Sequence, residues 1–544
     1  MRFMSLIHGF HLKNLRGDIY GGLTAAVVAL PLALAFGVAS GVGPIAGLYG
    51  AIFVGFFAAL LGGTPSQISG PTGPMTVVMA IIFIEYIDQP ALAFTIIMMG
   101  GAFQILFSVL RLGSLISLVP YTVISGFMSG IGVIIIILQL GPLLGHSAPA
   151  GGVMGTFLGL PAIFAAIKWD AAAIGFGVLA VVWLMPAKLN RILPAPLVAL
   201  IIGTLIVVNY LPEVSILGEI PTGLPQLKLP QIDFSVLPAM VGWALILALL
   251  GSIDSLLTSL IADSVTRTHH RSNRELFGQG IGNLIAGIFG GIPGAGATMR
   301  TLVNVRAGGA TPLSGMLHAL ILLALVLGLG PLASHIPHTV LAGILVKVGI
   351  DIIDWGYLKR VTRAPRSGVV IMLIVLGLTV FVDLIVAFAT GMVAASLLLV
   401  KRMTDLQLAS VRAVSGAEDD LDFSAAEQKI LTEYGGSIVL YHFDGPVSFG
   451  AAKGIAKRLV LDESHKILIL DLTDVPMVDT TGAFALDDVI VNARELDASV
   501  ILAGANDKVV DVLTRLGVMA GMAQSQSVAT RQAALEMAEH LIRD

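Results

Sequence analysis

Residues 68–75 read Ile-Ser-Gly-Pro-Thr-Gly-Pro-Met, and residues 292–299 read Ile-Pro-Gly-Ala-Gly-Ala-Thr-Met. The two stretches share Ile, Gly and Met in register, and each leads into an apolar run. Irregular backbone at membrane depth is tolerated only where protein buries it or where it lines a water-filled cavity. Matched Gly/Pro interruptions in two halves of a membrane chain therefore indicate a binding site for a transported solute. The alternative, two ordinary short loops, is disfavoured by the matched register.

Composition places most of the chain in a membrane. The 544 residues are 56% hydrophobic and only 12% charged. Apolar runs of about 18 or more residues recur through roughly the first 400 residues, which predicts about fourteen spanning helices. The predicted spans lie near 19–39, 44–62, 71–87, 91–110, 117–141, 170–186, 194–211, 236–262, 276–291, 297–307, 312–331, 336–354, 367–383 and 384–400. The tenth is too short to cross a bilayer alone, so it predicts a half-helix preceded by extended chain, and the third begins in the same way.

The spans divide into two equal sets around residue 224. An odd number of spans in each half reverses the second copy, so the pattern predicts a 7+7 inverted repeat. The net charge of −4 is too small to indicate a nucleic-acid partner. The chain has no cysteine, which excludes disulfides, thiolate metal sites and cysteine nucleophiles. No cofactor loop or nucleophile–base pair stands out, so an enzyme is disfavoured.

Loop charge predicts the orientation. The stretch 1–20 lacks a cleavable signal pattern, so we expect the first apolar run to be a retained span. Most loop lysines and arginines fall on the side that holds both termini, and only Lys168 and Lys228 fall on the other. Because cytoplasmic loops are enriched in Lys and Arg, both termini are predicted to be cytoplasmic in the plasma (inner) membrane.

Composition changes after Arg402, so we expect three parts: a transmembrane domain at 1–402, a linker at 403–434 and a small domain at 435–544. The last part has the pattern of a soluble α/β domain. Strands are predicted at Ser437–Phe443, Lys466–Asp471 and Ser499–Leu502, and helices near 449–460, 481–496 and 506–516.

One acidic residue lies inside a predicted span. Ionisable groups at membrane depth are costly, so Asp254 is a functional candidate by default. Thr258 follows it by four residues on the same helix face, whereas Ser255 points elsewhere. A carboxylate and a hydroxyl on one stripe offer hard oxygen ligands for a small cation, and carbonyls of segment 292–299 could complete the shell. The alternative is that Asp254 only accepts hydrogen bonds from loose backbone amides.

The two half-helices predict an anion site. A helix start exposes free N–H groups and the positive end of its dipole, so it favours negative charge. In an inverted repeat the third and tenth helices point their N-termini toward each other. Gly296 allows close backbone approach, and Arg300 either strengthens the attraction for an anion or pairs with Asp254. The residues expected to line the gap are Thr72, Gly73, Ala297 and Thr298.

Several motifs together resemble the SulP anion transporters, and within that family the sodium-dependent bicarbonate carriers. The matching stretches are Gly-Gly-Leu-Thr-Ala-Ala-Val-Val-Ala-Leu-Pro-Leu-Ala-Leu-Ala-Phe-Gly (21–37), Pro-Thr-Gly-Pro-Met-Thr-Val-Val (71–78), Pro-Tyr-Thr-Val-Ile-Ser-Gly-Phe-Met-Ser-Gly-Ile-Gly (120–132), Asp-Ser-Leu-Leu-Thr-Ser (254–259) and Gly-Ala-Gly-Ala-Thr-Met (294–299). The resemblance implies a core (spans 1–4 and 8–11) and a gate (spans 5–7 and 12–14). It also implies a C-terminal cytoplasmic STAS domain, consistent with Val-Asp-Thr-Thr-Gly at 478–482.

Carried over by residue, the resemblance implies bicarbonate between Thr72 and Ala297, and no cofactor other than sodium as the coupling ion. Membrane lipid and a homodimer with STAS contacts are the further partners that it implies. Thr481 stands where related STAS proteins are phosphorylated on serine, although a cap for the helix starting at Gly482 is the favoured reading. The implied sodium ligands are Asp254, Thr258, Gly296 and Thr298.

We therefore expect a secondary active transporter for small anions, with sodium-dependent bicarbonate symport by alternating access as the leading hypothesis. A proton-coupled or exchanging carrier for sulphate or another inorganic anion is the main alternative. An uncoupled anion channel is the third. Lys347 and Asp351, four residues apart on the twelfth span, are predicted to form an ion pair.

Overall fold

The computed structural model describes residues 8–116, 119–147, 152–190, 194–218, 225, 227–382, 384–414, 423–434, 436–448, 465–521 and 526–543. The chain divides into two compact units, Met1–Val393 and Ala394–Asp544. The first unit is almost entirely helical, and the second is a mixed α/β domain.

Helices, most of them apolar, build the first unit. They are α1 (Leu15–Ala39), α2 (Pro44–Leu61), α3 (Gly73–Glu85), α4 (Pro90–Val109), α5 (Tyr121–Leu143), α6 (Gly152–Ala165), α7 (Trp169–Leu184), α8 (Ala195–Tyr210), α9 (Leu237–Thr266), α10 (Ser272–Ile288), α11 (Thr298–Arg306), α12 (Pro312–Ala333), α13 (His338–Ile352), α14 (Arg366–Phe381) and α15 (Leu384–Ala409), the last continuing into the second unit. Two short strands, β1 (Ser69–Gly70) and β2 (Ala295–Gly296), precede α3 and α11.

A helix lies over each of the fourteen predicted intervals, and α6 is an additional apolar helix that the sequence did not predict as a span. Within the described residues, six helices are long and apolar enough to cross a bilayer, or seven if the bent pair α6 and α7, which meet at 117°, counts as one span. The half-helix character of the tenth interval is confirmed, because α11 has only 9 residues. The total of fourteen spans stays a prediction.

The helices of the first unit pack in two groups. In one group α10 packs against α2 and α4, α12 against α1 and α2, and α9 against α4. In the other group α13 and α14 pack against α5, and α7 packs against α8 and α13. These groups match the core and the gate that the family resemblance implies. The predicted ion pair is also present, since Lys347 Nζ lies 2.5 Å from Asp351 Oδ1.

The second unit contains one five-stranded sheet in the order β3-β4-β5-β6-β7, in which β3 is antiparallel to β4 and the other pairs are parallel. Alternate residues of the strands enter two separate apolar clusters, because side chains of a strand point to opposite faces in turn. Helices α17 and α18 cover one face, and α16 and α19 cover the other. The elements are β3 (Val411–Val414), α16 (Ala425–Tyr434), β4 (Ile438–Asp444), β5 (Ile467–Asp474), α17 (Thr480–Glu495), β6 (Ser499–Ala503), α18 (Asp507–Arg515), β7 (Ser527–Val528) and α19 (Arg531–Arg543).

The interval 403–434 is not the simple linker that its composition predicts. It contains the end of α15, strand β3 and helix α16, and β3 pairs with β4 as the edge of the sheet. Arg412 and Ala413 of this edge strand are exposed, and a charged side chain on an edge disfavours pairing with another chain. The predicted helix near 449–460 lies outside the described residues.

Helix α17 begins one residue earlier than expected, and its cap is different from the predicted one. Asp479 is the N-cap residue, and its side chain accepts a hydrogen bond of 2.7 Å from the backbone amide of Gly482. Thr481 is an exposed residue of the first helical turn and does not cap the helix. An aspartate at this position accepts a hydrogen bond from a free backbone amide, and its negative charge is stabilised by the positive end of the helix dipole.

A buried charge cluster joins the two parallel strands β4 and β5 to the helices on one face. His442 Nδ1 lies 2.8 Å from Oδ2 of the fully buried Asp471, and Thr473 Oγ1 donates to Asp471 Oδ1 at 2.5 Å. Arg531 Nε donates to Glu427 Oε1 at 3.0 Å. Burial opposes ionisation of Asp471, but hydrogen bonds from His442 and Thr473 outweigh it and hold the pKa of this carboxyl below its ordinary value.

The substitution Asp471→Asn is expected to destabilise the C-terminal domain by about 2 kcal/mol at pH 7, because it removes charge-assisted hydrogen bonds from a buried site. Since the folded pKa lies below the unfolded one, the carboxylate stabilises the domain above about pH 4 and this contribution is lost as pH falls through the folded pKa. Temperature-dependent proteolysis of the full-length protein at pH 7 and at about pH 3 measures the difference. Asp444→Asn, at the exposed end of β4, is the control, and an equal effect of Asp471→Asn at both pH values would contradict the assignment.

Candidate ion-binding site

The two interrupted segments pair with each other. Ser69 of β1 lies opposite Gly296 of β2, and Gly70 lies opposite Ala295, in antiparallel register. Gly70 has a φ of +150°, which side-chain-bearing residues rarely adopt, and a Cβ there would stand 2.8 Å from Arg300 Nη1. The pairing brings the starts of α3 and α11 together, as the two matched sequence stretches predict.

Side chains satisfy the backbone groups that flank this pair. Asn283 Oδ1 accepts from the amide of Gly294 at 2.8 Å, and Asn283 Nδ2 donates to the carbonyl of the same glycine at 2.9 Å. Thr301 Oγ1 accepts from the amide of Ile68 at 3.0 Å. Such bonds are required because a bilayer interior offers no water to an extended segment. The broken segments are therefore held in one defined conformation.

Three of the four predicted cation ligands lie in contact. Thr258 Oγ1 donates to the carbonyl of Gly296 at 3.0 Å and lies 2.8 Å from Thr298 Oγ1. Asp254 stands one helical turn before Thr258 on α9, as predicted. Its Oδ2 atom is buried and has no hydrogen-bond partner among the described residues. Hydroxyl and carbonyl oxygens thus meet one helical turn from the carboxylate of Asp254, and these three oxygen types are the ligands that a hard cation takes.

Asp254 also faces the anion half of the site. The Thr72 side chain lies beside its carboxylate without completing a hydrogen bond, and Arg300 is the charged group that acts on it electrostatically. Arg300 is 2% exposed, and its Nη2 donates to the carbonyl of Pro71 at 2.6 Å. Its Nη1 is buried without a partner in the described part of the chain. The structure therefore brings Thr72, Asp254 and Arg300 together.

Both helix starts are available for an anion, with one correction. No side chain caps α3 or α11, so amides of their first turns keep free hydrogen-bonding capacity among the described residues. However, the amide of Ala297 donates to the carbonyl of Ile68 at 2.9 Å, because β1 and β2 extend their ladder to this residue. The amide of Ala297 is therefore engaged in the ladder. Gly73 packs closely against two isoleucines, because a Cβ there would stand 2.4 Å from Ile352 Cδ1 and 2.9 Å from Ile135 Cδ1.

The sequence predicts that Ser255 points away from the site, and the structure contradicts this prediction. Its hydroxyl donates to the carbonyl of Gly251 at 2.6 Å and accepts from the amide of Gly296 at 3.0 Å. Packing of β2 against α9 brings the strand into reach of a second face of the helix. Ser255 thus holds the amide of Gly296, the residue whose carbonyl is the candidate cation ligand.

Sequence reasoning missed a set of buried polar residues on α10. Glu275, Gln279 and Asn283 lie four residues apart and are 1%, 0% and 2% exposed. This spacing places them on one helix face in an otherwise apolar span, and that polar stripe is the signal that could have found them. All three contact the segments around β1 and β2.

The family model for the Sulfate permease family matches residues 15–375, and the model for the STAS domain matches residues 429–530. The chain belongs to the sulfate permease family. It is 46% identical over 546 residues to the bicarbonate transporter BicA of Picosynechococcus sp., a match that covers 98% of this chain and 96% of the relative. It is 30% identical to the putative sulfate transporter YvdB of Bacillus subtilis, covering 95% and 96%.

Solved structures agree with this membership. The transmembrane domain of a cyanobacterium bicarbonate transporter BicA superimposes with a TM-score of 0.67 at 51% identity, covering 70% of this chain and 99% of that one. The murine Slc26a9 anion transporter in the inward-facing state superimposes with a TM-score of 0.85 over 99% of this chain and 94% of that one. Its identity is 19%, so this second likeness concerns the fold alone. The chain is an integral membrane protein of the sulfate permease family with a C-terminal STAS domain.

The substitution Gly296→Ala is expected to disable the site, because a Cβ there would stand 2.3 Å from Gln67 Nε2 and 3.1 Å from Ser255 Cα. Uptake of labelled anion by cells should fall by at least about tenfold, since small displacements of ligating atoms have effects of this size. Gly242→Ala is the control, because nothing lies within 4 Å of a Cβ at that position of α9. Equal uptake by both variants at equal membrane abundance would contradict the packing argument.

Proposed function

We propose that this protein is a sodium-dependent bicarbonate symporter that works by alternating access. The observation that carries the proposal is the Oδ2 atom of Asp254, which is buried and has no hydrogen-bond partner among the described residues, on a carboxylate that Arg300 acts on electrostatically. An unpaired buried charge is expensive in a membrane protein and marks an ion site by default. Asp254 has a candidate partner of opposite charge on each side.

The cation half is supported by the oxygen donors around Thr258. Broken transporter helices coordinate sodium through unwound backbone carbonyls, and the carbonyl of Gly296 has this character. Thr298 adds a hydroxyl at the start of α11. A sodium ion here would neutralise Asp254, which has no bonded partner of its own at Oδ2. The donor set therefore fits a small monovalent cation.

The anion half is supported by unused hydrogen-bond donors. Thr72 Oγ1 and Arg300 Nη1 are buried without partners in the described residues, and the starts of α3 and α11 lack side-chain caps. A small planar oxyanion such as bicarbonate accepts bonds from a guanidinium, a hydroxyl and backbone amides at once. Two relatives at 46% identity, from Picosynechococcus and Synechocystis, are both named bicarbonate transporters, which supports this substrate.

Coupling follows from the shared charges. In the empty site, Asp254 and Arg300 attract each other across the gap. Sodium at Asp254 removes the competing negative charge, so the field of Arg300 becomes available to the anion. By thermodynamic linkage the anion then strengthens sodium binding by the same factor. Movement of the core helices against the gate helices would carry both ions across the membrane together.

A sulphate or other inorganic anion carrier, coupled to protons or working by exchange, is the second candidate, because relatives at 30% and 28% identity are named putative sulfate transporters.

We further propose that both termini lie in the cytoplasm, that the protein resides in the plasma membrane and contacts its lipid, and that it acts as a homodimer with STAS contacts. A transport role without enzymatic activity, and Thr481 as a candidate phosphorylation site, belong to the same proposal.

Purified protein in liposomes tests the coupling directly. Bicarbonate uptake should require an inward sodium gradient, and sulphate or chloride should neither replace bicarbonate nor compete strongly with it. Asp254→Asn should reduce sodium-driven uptake to background, because the neutral amide cannot balance the cation. Asp263→Asn, an acid on the same helix that pairs with His270, is the control. Sulphate uptake driven by a proton gradient would favour the second candidate, and currents far above carrier turnover would indicate a channel.

Arg300→Ala separates the two roles that the sequence leaves open for this arginine. If the guanidinium holds the anion, the KM for bicarbonate should rise by about tenfold or more, as expected when a charged hydrogen bond is lost. The half-saturating sodium concentration should not rise. Arg306→Ala, at the exposed end of the same helix, is the control. An unchanged KM together with a lower half-saturating sodium concentration would assign Arg300 to pairing with Asp254 instead.

A further inference from the structure

A second buried carboxylate lies beneath the broken segments, and the proposed mechanism does not use it. Glu275, in the first turn of α10, is 1% exposed. Its Oε2 accepts from the backbone amides of Gly63 and Thr64 at 2.9 Å each. Its Oε1 accepts from Gln67 Nε2 and Gln279 Nε2 at 2.8 Å each. Every neighbour donates, so an acceptor-only carboxylate fits the position.

The first arm of this network ends at the predicted cation ligand. Gln67, held by Glu275, lies directly against Gly296, since a Cβ on that glycine would stand 2.3 Å from Gln67 Nε2. Ser259 Oγ donates a hydrogen bond of 3.0 Å to Gln67 Oε1. Ser259 also follows Ser255 by one turn of α9, and Ser255 binds the amide of Gly296. The peptide of Gly296 is therefore fixed between Gln67 and α9.

The second arm ends at the strand that pairs with Gly296. Gln279 Nε2 donates to Ser69 Oγ at 2.6 Å as well as to Glu275. Ser69 belongs to β1 and lies opposite Gly296 in the two-strand ladder. A single carboxylate thus holds the loop before β1, the strand β1 and the glutamine that packs on β2. It contacts neither Asp254 nor Thr258.

We propose that Glu275 is a positioning residue for the cation site, acting through Gln67 on the carbonyl of Gly296. This inference rests on the proposed sodium coupling. Sites of this kind work only when their ligands are held to within about 0.5 Å, which requires supporting hydrogen bonds with fixed geometry. An amide at position 275 would turn one acceptor into a donor that faces the donors of Gln67 and Gln279. Gln67 would then move, and Gly296 with it.

The variant Glu275→Gln should therefore raise the half-saturating sodium concentration by roughly tenfold, the usual effect of losing a partner that orients a ligand. The KM for bicarbonate at saturating sodium should change by less than about twofold, because Thr72 and Arg300 are not part of the network. Both constants are measured by uptake into liposomes. Glu85→Gln, a carboxylate of α3 that accepts from Trp243 Nε1, is the control and should leave both constants unchanged.

A double variant tests the contact itself. In Gln67→Glu with Glu275→Gln, the amide at 275 can donate to the carboxylate at 67 and its oxygen can still accept from Gly63 and Thr64. The exchange should restore at least about half of the lost sodium affinity on a logarithmic scale. Failure of the exchange to restore affinity, or an equal rise of both constants in Glu275→Gln, would overturn the positioning role.

Stability in detergent without bicarbonate separates this inference from the proposed function. Sodium chloride, compared with choline chloride, should raise the unfolding temperature of the unaltered protein, because a ligand that binds only the folded state stabilises it. Glu275→Gln should need more sodium for the same rise. A sodium response that is identical in both proteins would overturn the role of Glu275 alone. The absence of any sodium response in the unaltered protein, together with sodium-independent uptake, would overturn sodium coupling and this inference together.

Discussion

The structure depends on the pairing of β1 with β2, a ladder of two residues on each strand. A membrane-spanning chain can contain extended backbone only if every amide and carbonyl finds a partner inside the protein. Here each strand supplies partners to the other, and Asn283, Ser255 and Thr301 supply further ones. The starts of α3 and α11 follow the two strands and have no side-chain caps. Their first-turn amides and the nearby charges make up the proposed site.

Charge is distributed asymmetrically around this symmetric ladder. Asp254, Thr258 and Arg300 all come from the second half of the chain, whereas the first half contributes Thr72 and backbone. In the described part of the chain, Asp254 Oδ2 and Arg300 Nη1 have no hydrogen-bond partner, whereas Glu275 accepts four hydrogen bonds. Two buried carboxylates of one protein thus differ in how far their acceptors are used. The carboxylate of Glu275 holds backbone and side chains in place, and that of Asp254 keeps an acceptor for the proposed ion.

The sequence predicted the elements that follow local rules. Matched Gly and Pro residues predicted both half-helices, and spacing along α9 placed Asp254 and Thr258 on one face. It failed where distant segments meet. Ser255 was placed away from the site because a single helix gives no information on what packs against its second face. Composition predicts a linker where strand β3 lies, because four residues with no alternating pattern become a strand only beside β4.

The sequence by itself determined the membrane class, the two broken segments and the residue types of the proposed ion site. These properties depend on composition and on periodicities of a few residues, which every part of the chain carries locally. The tertiary structure alone decided which backbone donors are bonded. The amide of Ala297 donates within the ladder, whereas no side chain caps the amides at the start of α11. The tertiary structure also connected Glu275 to Gly296, because Gln67 bonds to the glutamate and packs against the glycine. Hydrogen-bond saturation is a property of three-dimensional contacts between distant segments, and no local pattern encodes it.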